Sequence, residues 1–116
     1  DIEVSDTEAD FLKKAMDIVE ENIDHVNMGA DMLCEGLGMS QSSLFRKLKA
    51  LTGQSISDFI RSIRIKRSAQ YLNKSDLSVK EVAFSCGFSD VKYFRKCFMD
   101  QFGVNPTEYK IQQNLS

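Results

Sequence analysis

Apolar residues recur at intervals of three and four positions along most of the chain, which holds one proline and few runs of β-branched residues. This period is typical of amphipathic α-helices, whereas strands alternate at every second residue. We therefore predict an all-α fold with about seven helices. The predicted helices lie near 6–24, 30–35, 40–52, 57–74, 78–85 and 90–102, and a last one starts at 106.

Several of these helices carry signals at their ends. Ser78 and Glu81 have the spacing of a capping box, in which each side chain accepts a hydrogen bond from the other residue's backbone N–H. Gly53 and Gly103 follow apolar stripes at positions where glycine commonly ends a helix. Gly29 stands in the first half of the chain where Ser78 stands in the second, which predicts a weaker helix start there.

The long helix predicted for residues 57–74 divides its apolar residues between two sides. At 100° per residue, one set falls between about 0° and 100° and the other between about 220° and 280°. The first set is Ile56, Phe59, Ile60 and Ile63, and the second is Ile65, Ala69 and Leu72. A helix whose halves bury opposite sides contacts a different body at each end. We therefore predict that residues 57–74 form a rigid connector helix between a first lobe over 6–56 and a second lobe over 75–116. Residues 1–5 are expected to be a flexible lead-in.

The two predicted lobes repeat one pattern of a short helix with a small residue, a glycine turn, and a longer helix ended by glycine. At offsets of 49 and then 50, the matching residues are Leu33-Cys34 and Val82-Ala83, Gly38 and Gly87, Ser40 and Ser89, Leu44 and Phe94, Leu48 and Phe98, and Gly53 and Gly103. This is the plan of a helix-turn-helix, because a small side chain lets two helices cross closely and glycine adopts the backbone angles of the turn. The first turn is expected over residues 36–39. Two copies flanking a two-sided connector are stronger evidence than one copy.

Further short motifs surround the repeat. They are Gly38-Met39-Ser40, Leu44-Phe45-Arg46-Lys47-Leu48-Lys49, Thr52-Gly53, Phe59-Ile60 with Arg64-Ile65, Glu81-Val82-Ala83, Gly87-Phe88-Ser89-Asp90, Tyr93-Phe94, Phe102-Gly103 and Pro106-Thr107-Glu108-Tyr109. Together they resemble the DNA-binding domain of AraC/XylS-type bacterial transcription regulators over residues 15–110. The acidic start of the chain and the Phe-Ile-Arg-Ser-Ile-Arg stretch at 59–64 further resemble the domain that ends hybrid two-component sensor proteins of the Bacteroides type.

This resemblance implies sequence-specific binding to double-stranded DNA and regulation of transcription, as the output domain of a larger signalling regulator. It implies sensory or receiver domains N-terminal to this chain, and RNA polymerase as a candidate partner. We expect the isolated domain to be a monomer and the full-length protein a dimer. The expected location is the cytoplasm, and a parent of the hybrid sensor type would be anchored in the inner membrane.

A recognition helix offers side chains from its N-terminal half to base edges in the major groove. Ser42, Phe45 and Arg46 share one face of the helix predicted over 40–52, because they are three and four residues apart. The corresponding positions in the second lobe are Lys92, Arg95 and Lys96. The resemblance places base contacts at Ser42, Phe45, Arg46, Val91, Lys92 and Lys96, and phosphate contacts are assigned to Ser40, Gln41, Lys49 and Arg95. A rigid connector predicts entry into successive major grooves, about 34 Å apart.

Other interpretations stay open for several side chains. Phe45 either contacts a base or packs against the first lobe, and Tyr93 is expected to pack beside the core. Arg61, Arg64 and Arg67 on the connector are expected in ion pairs between the lobes, or as surface charge, rather than at bases. The phenylalanines of the second lobe are expected in its core, not as a stacking platform for single-stranded nucleic acid.

The net charge of −2 argues at first against a nucleic-acid partner, but the charge is unevenly distributed. Residues 1–35 hold 11 acidic and 2 basic side chains, residues 36–74 hold 1 acidic and 8 basic, and residues 75–116 hold 5 of each. Binding to DNA needs local positive potential rather than a basic whole protein. The central block supplies this potential, although a merely solvated basic face gives the same count.

The sequence gives little support for catalysis, metal binding or disulfide formation. His25 is the single histidine and lies in an acidic stretch, and we find no catalytic triad, phosphate loop or metal-ligand spacing, so we expect no catalytic residue, no metal and no cofactor. Cys34, Cys86 and Cys97 are odd in number and lack a Cys-x-x-Cys spacing, which predicts buried thiols in a reducing compartment.

No apolar stretch approaches the length of about 20 residues that a membrane-spanning helix needs, and we expect a soluble intracellular domain. The rival class is a helical protein-interaction module, in which the acidic first helix faces a neighbouring domain. Salt dependence separates the two classes, because DNA binding through several Lys and Arg contacts weakens steeply as salt rises.

Overall fold

The computed structural model describes residues 6–74 and 76–115, and these residues form seven α-helices and no strand. The helices are α1 (Asp6–Glu21), α2 (Ala30–Leu37), α3 (Gln41–Thr52), α4 (Ile56–Lys74), α5 (Val79–Ser85), α6 (Val91–Phe102) and α7 (Pro106–Asn114). The predicted all-α fold is therefore confirmed. The flexible lead-in that the sequence predicts over 1–5 lies outside the described residues.

Two predicted boundaries were wrong, the first for a local reason and the second at a contact between two helices. Helix α1 ends at Glu21 rather than near 24, because the Asn22 side chain donates to the Ile18 carbonyl oxygen at 2.8 Å and so takes the place of a backbone donor. Helix α2 continues through Gly36 to Leu37, residues that were expected in the turn. A Cβ at Gly36 would lie 2.6 Å from Cδ1 of Ile18, so glycine here serves a close approach between α1 and α2.

The chain divides into two compact units. Unit 1 contains α1, α2, α3 and the start of α4, up to Ile60. Its buried apolar residues include Phe11, Ala15, Val19, Leu33, Leu44, Leu48, Ile56, Phe59 and Ile60. Helices α1 and α3 thus each bury one apolar stripe, as their period predicts, and α2 buries Leu33.

Unit 2 contains the short segment Ile23–Val26, the rest of α4, and α5 to α7. Its core is formed by Ile65, Ala69, Leu72, Val82, Ala83, Cys86, Phe88, Phe94, Cys97 and Phe98. The rings of Phe88 and Phe94 are 5.1 Å apart, and those of Phe94 and Phe98 are 5.9 Å apart, both within the range of favourable aromatic pairs. Phe88, Phe94 and Phe98 therefore belong to a core, as predicted, whereas Phe84 and Phe102 are exposed.

Helix α4 contributes to both units. Ile56, Phe59 and Ile60 are buried and lie in the part that belongs to unit 1, whereas Ile65, Ala69 and Leu72 pack in the core of unit 2. The two apolar sides that the sequence predicts are therefore both buried. The rigidity of this connector and the placement of the lobes stay predictions.

The repeat is visible in the backbone. Gly38, after α2, has a φ of +65°, and Gly87, shortly after α5, has a φ of +87°, so both turns adopt left-handed backbone angles that favour glycine. The surroundings differ, because a Cβ on Gly38 would meet no atom of the described residues within 4 Å. A Cβ on Gly87 would lie 2.5 Å from the carbonyl oxygen of Ile23 and 2.8 Å from Cζ of Arg64.

We expect the substitutions Gly38→Ala and Gly87→Ala to differ in their effect on stability. The left-handed angle costs alanine about 1–2 kcal/mol at either turn. At Gly87 the clash adds about 1–3 kcal/mol, as overpacked cores do. Urea unfolding followed by circular dichroism measures both variants. Equal losses of unfolding free energy would show that unit 2 yields around the new methyl group at no cost.

Candidate nucleic-acid interface

Helix α3 is the second helix of the helix-turn-helix in unit 1. Its N-cap is Ser40, whose Oγ accepts a hydrogen bond from the backbone N–H of Ser43 at 3.2 Å. Leu44 and Leu48 are fully buried and fix the inner side of the helix. Gly53 ends the helix in a left-handed conformation. The burial of one stripe determines which side chains face away from the unit.

The exposed side of α3 carries the residues that the sequence singles out. Ser42, Phe45, Arg46 and Lys49 are all exposed, at spacings of three and four residues that place them along one face. Phe45 is 44% exposed, so its ring is not packed away in unit 1. A large apolar ring beside a guanidinium and a hydroxyl is a surface that can contact base edges.

The remaining polar residues of α3 have distinct local roles. Ser40 and Gln41 are exposed at its start, where Ser40 already caps the helix. The Nζ of Lys49 donates to the carbonyl oxygen of Gly53 at 3.0 Å, at the helix C-terminus where a cation is favourable. The Nζ of Lys47 lies 4.5 Å from the ring centroid of Phe11, so this cation faces its own unit.

Helix α6 is the equivalent helix of unit 2. The carboxylate of Asp90 caps it by accepting from the backbone N–H of Lys92 at 2.9 Å. Its inner side is buried through Phe94, Cys97 and Phe98. Its outer side presents Lys92, Arg95 and Lys96, all exposed. Both second helices therefore have a capped start, one buried stripe and one cationic face.

Contacts within unit 2 limit how far some side chains of α6 are available to contact a nucleic acid. Val91 is half-buried and packs against the core of unit 2, which leaves less of it for a base than the sequence suggested. Lys96 forms an exposed ion pair with Asp100 at 3.3 Å, and Nη1 of Arg95 lies 3.4 Å from Oγ1 of Thr107. An exposed ion pair is worth at most about 1 kcal/mol, and an exposed hydrogen bond is no stronger, so both cations can turn to a nucleic acid.

Tyr93 was expected to pack beside the core, but it is 45% exposed at the start of α6. Its ring centroid is 6.2 Å from that of Phe88, and its hydroxyl accepts a hydrogen bond from Nη1 of Arg61 at 3.3 Å. No short-range signal could reveal this contact, because the two residues are 32 positions apart. Tyr93 thus contacts the core residue Phe88, as expected, but sequence reasoning missed that it is also exposed beside Lys92.

The expectation that Arg64 forms an ion pair or a surface charge was wrong. Its side chain is only 8% exposed, and its two hydrogen bonds run to the backbone carbonyl oxygens of His25 and Gly87. The sequence analysis counted Arg64 among the basic residues of the central block, 36–74. That block is therefore not one basic face, since Lys47 and Arg64 both point into the protein.

The cysteines are free thiols in the described part of the chain. Cys86 and Cys97 are buried as predicted, whereas Cys34 is only half-buried. Burial raises the pKa of the Cys86 thiol to about 12, which keeps it protonated and unreactive near neutral pH. Among the described residues no group of three or more His, Cys, Asp or Glu side chains could hold a metal ion. Within the same residues, no helix has the length and apolar character needed to cross a membrane.

A family model described as a helix-turn-helix domain matches residues 33–112. The chain is 36% identical over 110 residues to a protein named Histidine kinase P4 from Formosa agariphila, and the match covers 95% of this chain but 8% of that protein. Two further relatives are likewise longer than the match, which covers 30% of each. They are named Msm operon regulatory protein, from Streptococcus mutans (36% identical over 84 residues), and HTH-type transcriptional activator RhaR, from Salmonella heidelberg (31% identical over 86 residues).

Two solved structures are similar over nearly their whole lengths. One is a transcriptional regulator from Chromobacterium violaceum described as containing an AraC-type DNA-binding domain, with a TM-score of 0.85, 25% identity, and coverage of 94% of this chain and 96% of that one. The other is the DNA-binding domain of the global transcriptional factor AdpA in complex with a target DNA, with a TM-score of 0.77, 27% identity and 96% coverage of both chains. This chain belongs to the helix-turn-helix family, as a domain of the AraC type.

Proposed function

We propose that this chain binds double-stranded DNA sequence-specifically and regulates transcription through two recognition helices, α3 and α6. The observation that carries the proposal is the shared build of these helices. Each starts at a side-chain cap, buries one stripe in its own unit and exposes cations at matching positions, Arg46 in α3 and Lys96 in α6. The family membership and the similarity to a domain solved with its DNA support it.

The exposed side chains of α3 suit the major groove. Arg46 offers a planar fork that matches O6 and N7 of guanine, the hydroxyl of Ser42 suits a polar base edge, and the ring of Phe45 suits a thymine methyl group. In α6 the corresponding base contacts fall to Lys92 and Lys96, with a smaller contribution from the half-buried Val91.

Phosphate contacts would fix the register of each helix on the duplex without carrying sequence information. Ser40 and Gln41 lie at the exposed start of α3, and Lys49 lies along its outer face. Arg95 occupies the matching side of α6. Tyr93, exposed beside Lys92, joins this set because a phenolic hydroxyl donates well to phosphate oxygens.

The two helices would enter successive major grooves about 34 Å apart on one side of the duplex. Helix α4 supports this arrangement, since it runs unbroken from Ile56 to Lys74 and contributes to both units. Where the spacing between the helices falls short of one turn, the DNA has to bend, at a cost of a few kcal/mol for bends of roughly 40°.

The whole protein would be larger than this chain. Its relatives are longer, since the matched stretch covers 30% of one of them and 8% of another, which is named a histidine kinase. We infer that the chain is the output domain of a signalling regulator with sensory or receiver domains ahead of it, acting in the cytoplasm from a soluble or membrane-anchored parent. Dimerisation of the parent and contact with RNA polymerase belong to the same proposal. Kinase activity is not assigned to this chain, which spans 8% of that relative.

Titration of a labelled duplex at several salt concentrations tests the proposal. The duplex is obtained by selection from random sequences, which also identifies the operator. We expect log affinity to fall linearly with log salt, with a slope of about 0.9 for each phosphate that the protein neutralises. Absent or salt-insensitive binding would instead support the protein-interaction module.

Substitution of Arg46 tests whether its side chain contacts a base or acts only through its charge on the phosphates. We expect Arg46→Ala to lower affinity for the selected duplex by about 1–3 kcal/mol and to relax preference at one base pair. Lys49→Ala, on the same helix face, should weaken all sequences alike and reduce the salt slope by about 1. Lys66→Ala removes an exposed cation of α4 and serves as the charge control. An equal loss for Arg46→Ala on selected and random DNA would show that Arg46 contacts only phosphate.

A change in half-site spacing tests the connector. Inserting about five base pairs between the two half-sites places the second groove on the opposite side of the duplex. We expect affinity to fall to that of a duplex with one half-site, measured by fluorescence anisotropy. A duplex of equal length with five base pairs added outside the half-sites is the control. Unchanged affinity for the inserted spacing would contradict a rigid connector.

A further inference from the structure

We propose that Arg64 is a positioning residue, which sets the turn at 86–88 and through it the start of α6. The proposal rests on the DNA-binding function above only where it concerns specificity. Arg64 lies in α4 and belongs to unit 2, as do both of its hydrogen-bond partners. The geometry of this single side chain links three segments that are far apart in the sequence.

The hydrogen bonds of Arg64 define the link. Its Nη1 donates to the carbonyl oxygen of Gly87 at 3.3 Å, and its Nη2 donates to the carbonyl oxygen of His25. The partners lie 23 and 39 residues away. A guanidinium is planar and holds its donors in a fixed fork, so it fixes both carbonyl groups relative to α4.

Close packing makes the turn depend on this contact. Gly87 has a φ of +87°, and a Cβ built there would lie 2.8 Å from Cζ and 3.0 Å from Nε of Arg64. The backbone of the turn therefore lies directly against the guanidinium, with no side chain between them. In the part of the chain that the structure describes, the matching turn of unit 1 lacks such a neighbour, because nothing there lies within 4 Å of a Cβ at Gly38.

Stability alone does not account for an arginine at this position. Burial lowers the pKa of Arg64, and its Nε is buried without a hydrogen-bond partner among the described residues. Desolvation of a cation is costly, and apolar side chains of similar volume often replace buried charges without loss of stability. What an apolar replacement cannot supply is the pair of directed donors that hold two carbonyl groups.

The turn at 86–88 lies directly before α6 in the chain, so its position affects where α6 starts. Phe88, in the turn, stacks edge-on against Phe94 of α6 with ring centroids 5.1 Å apart. Asp90, two residues further on, is the N-cap of α6, and Lys92 lies in its first turn. A displaced Gly87 would therefore shift the start of α6, whereas Phe94 and Phe98 would still bury its inner side.

Amide hydrogen exchange on the free protein tests the positioning role without DNA. Arg64→Met removes the fork but keeps an unbranched apolar stem, and Lys66→Met removes an exposed cation from the same helix as a matched control. We expect faster exchange at the amides of Gly87 and Phe88 in Arg64→Met, with the amides of Ala69 and Leu72 in α4 unchanged. A uniform increase throughout unit 2 would indicate a purely structural role and would overturn the proposal, as would no change at all.

Specificity at each half-site provides the second measurement. Affinities are compared for the selected duplex and for duplexes in which one half-site is scrambled. Arg64→Met should lower discrimination at the half-site of α6 by about tenfold, the effect of one poorly matched base pair, and leave that of α3 intact. Retained discrimination at both half-sites would overturn the proposal. Were the wild type itself not to bind DNA, the proposed function would fail, and hydrogen exchange would still decide the role of Arg64.

Arg64→Lys covers the case in which Arg64→Met does not fold. Lysine keeps the charge but presents one ammonium instead of a planar fork. We expect the same selective increase in exchange at Gly87 and Phe88, smaller than for methionine. Exchange and discrimination identical to wild type would show that a buried charge suffices and that bridging two carbonyl groups is not required.

Discussion

The direction of every polar side chain on α3 and α6 follows from the apolar stripe that each helix buries. Leu44 and Leu48 in α3, and Phe94 and Phe98 in α6, are completely buried. Because a helix rotates by 100° per residue, a buried stripe leaves only one arc for residues that contact a ligand. Truncating such an anchor to alanine costs about 2–5 kcal/mol, and it would also release the orientation of the cations on the far side.

The two units use one backbone plan with different side chains. Helix α5 starts with the full capping box of Ser78 and Glu81, whereas α2 starts at Gly29 with no side-chain cap. An N-cap hydrogen bond is worth about 1 kcal/mol. The cationic faces differ as well, since α3 holds no acidic residue and α6 pairs Lys96 with Asp100. Similar helices therefore need not contribute equally to affinity.

Periodicity and end signals were sufficient to predict the seven helices and most of their bounds, because a helix is a local structure. Periodicity also placed Ser42, Phe45 and Arg46 on one exposed face. It failed where a long-range contact decides the outcome. The hydrogen bond from Arg64 to His25 spans 39 residues, and the close approach of Gly36 to Ile18 depends on how α1 and α2 cross. No local pattern in a single sequence contains that information.

Because α1 and α2 approach closely, the start of the family match differs from the start of unit 1. The family model begins at residue 33, inside α2, yet a Cβ at Gly36 would clash with Ile18 of α1, and Nζ of Lys47 in α3 lies over the ring of Phe11 in α1. Helix α1 is therefore part of the packed structure of unit 1. A fragment trimmed to the matched residues would retain both recognition helices but expose the apolar residues of unit 1 that α1 covers, so we expect a stable fragment to include α1 from Asp6 onward.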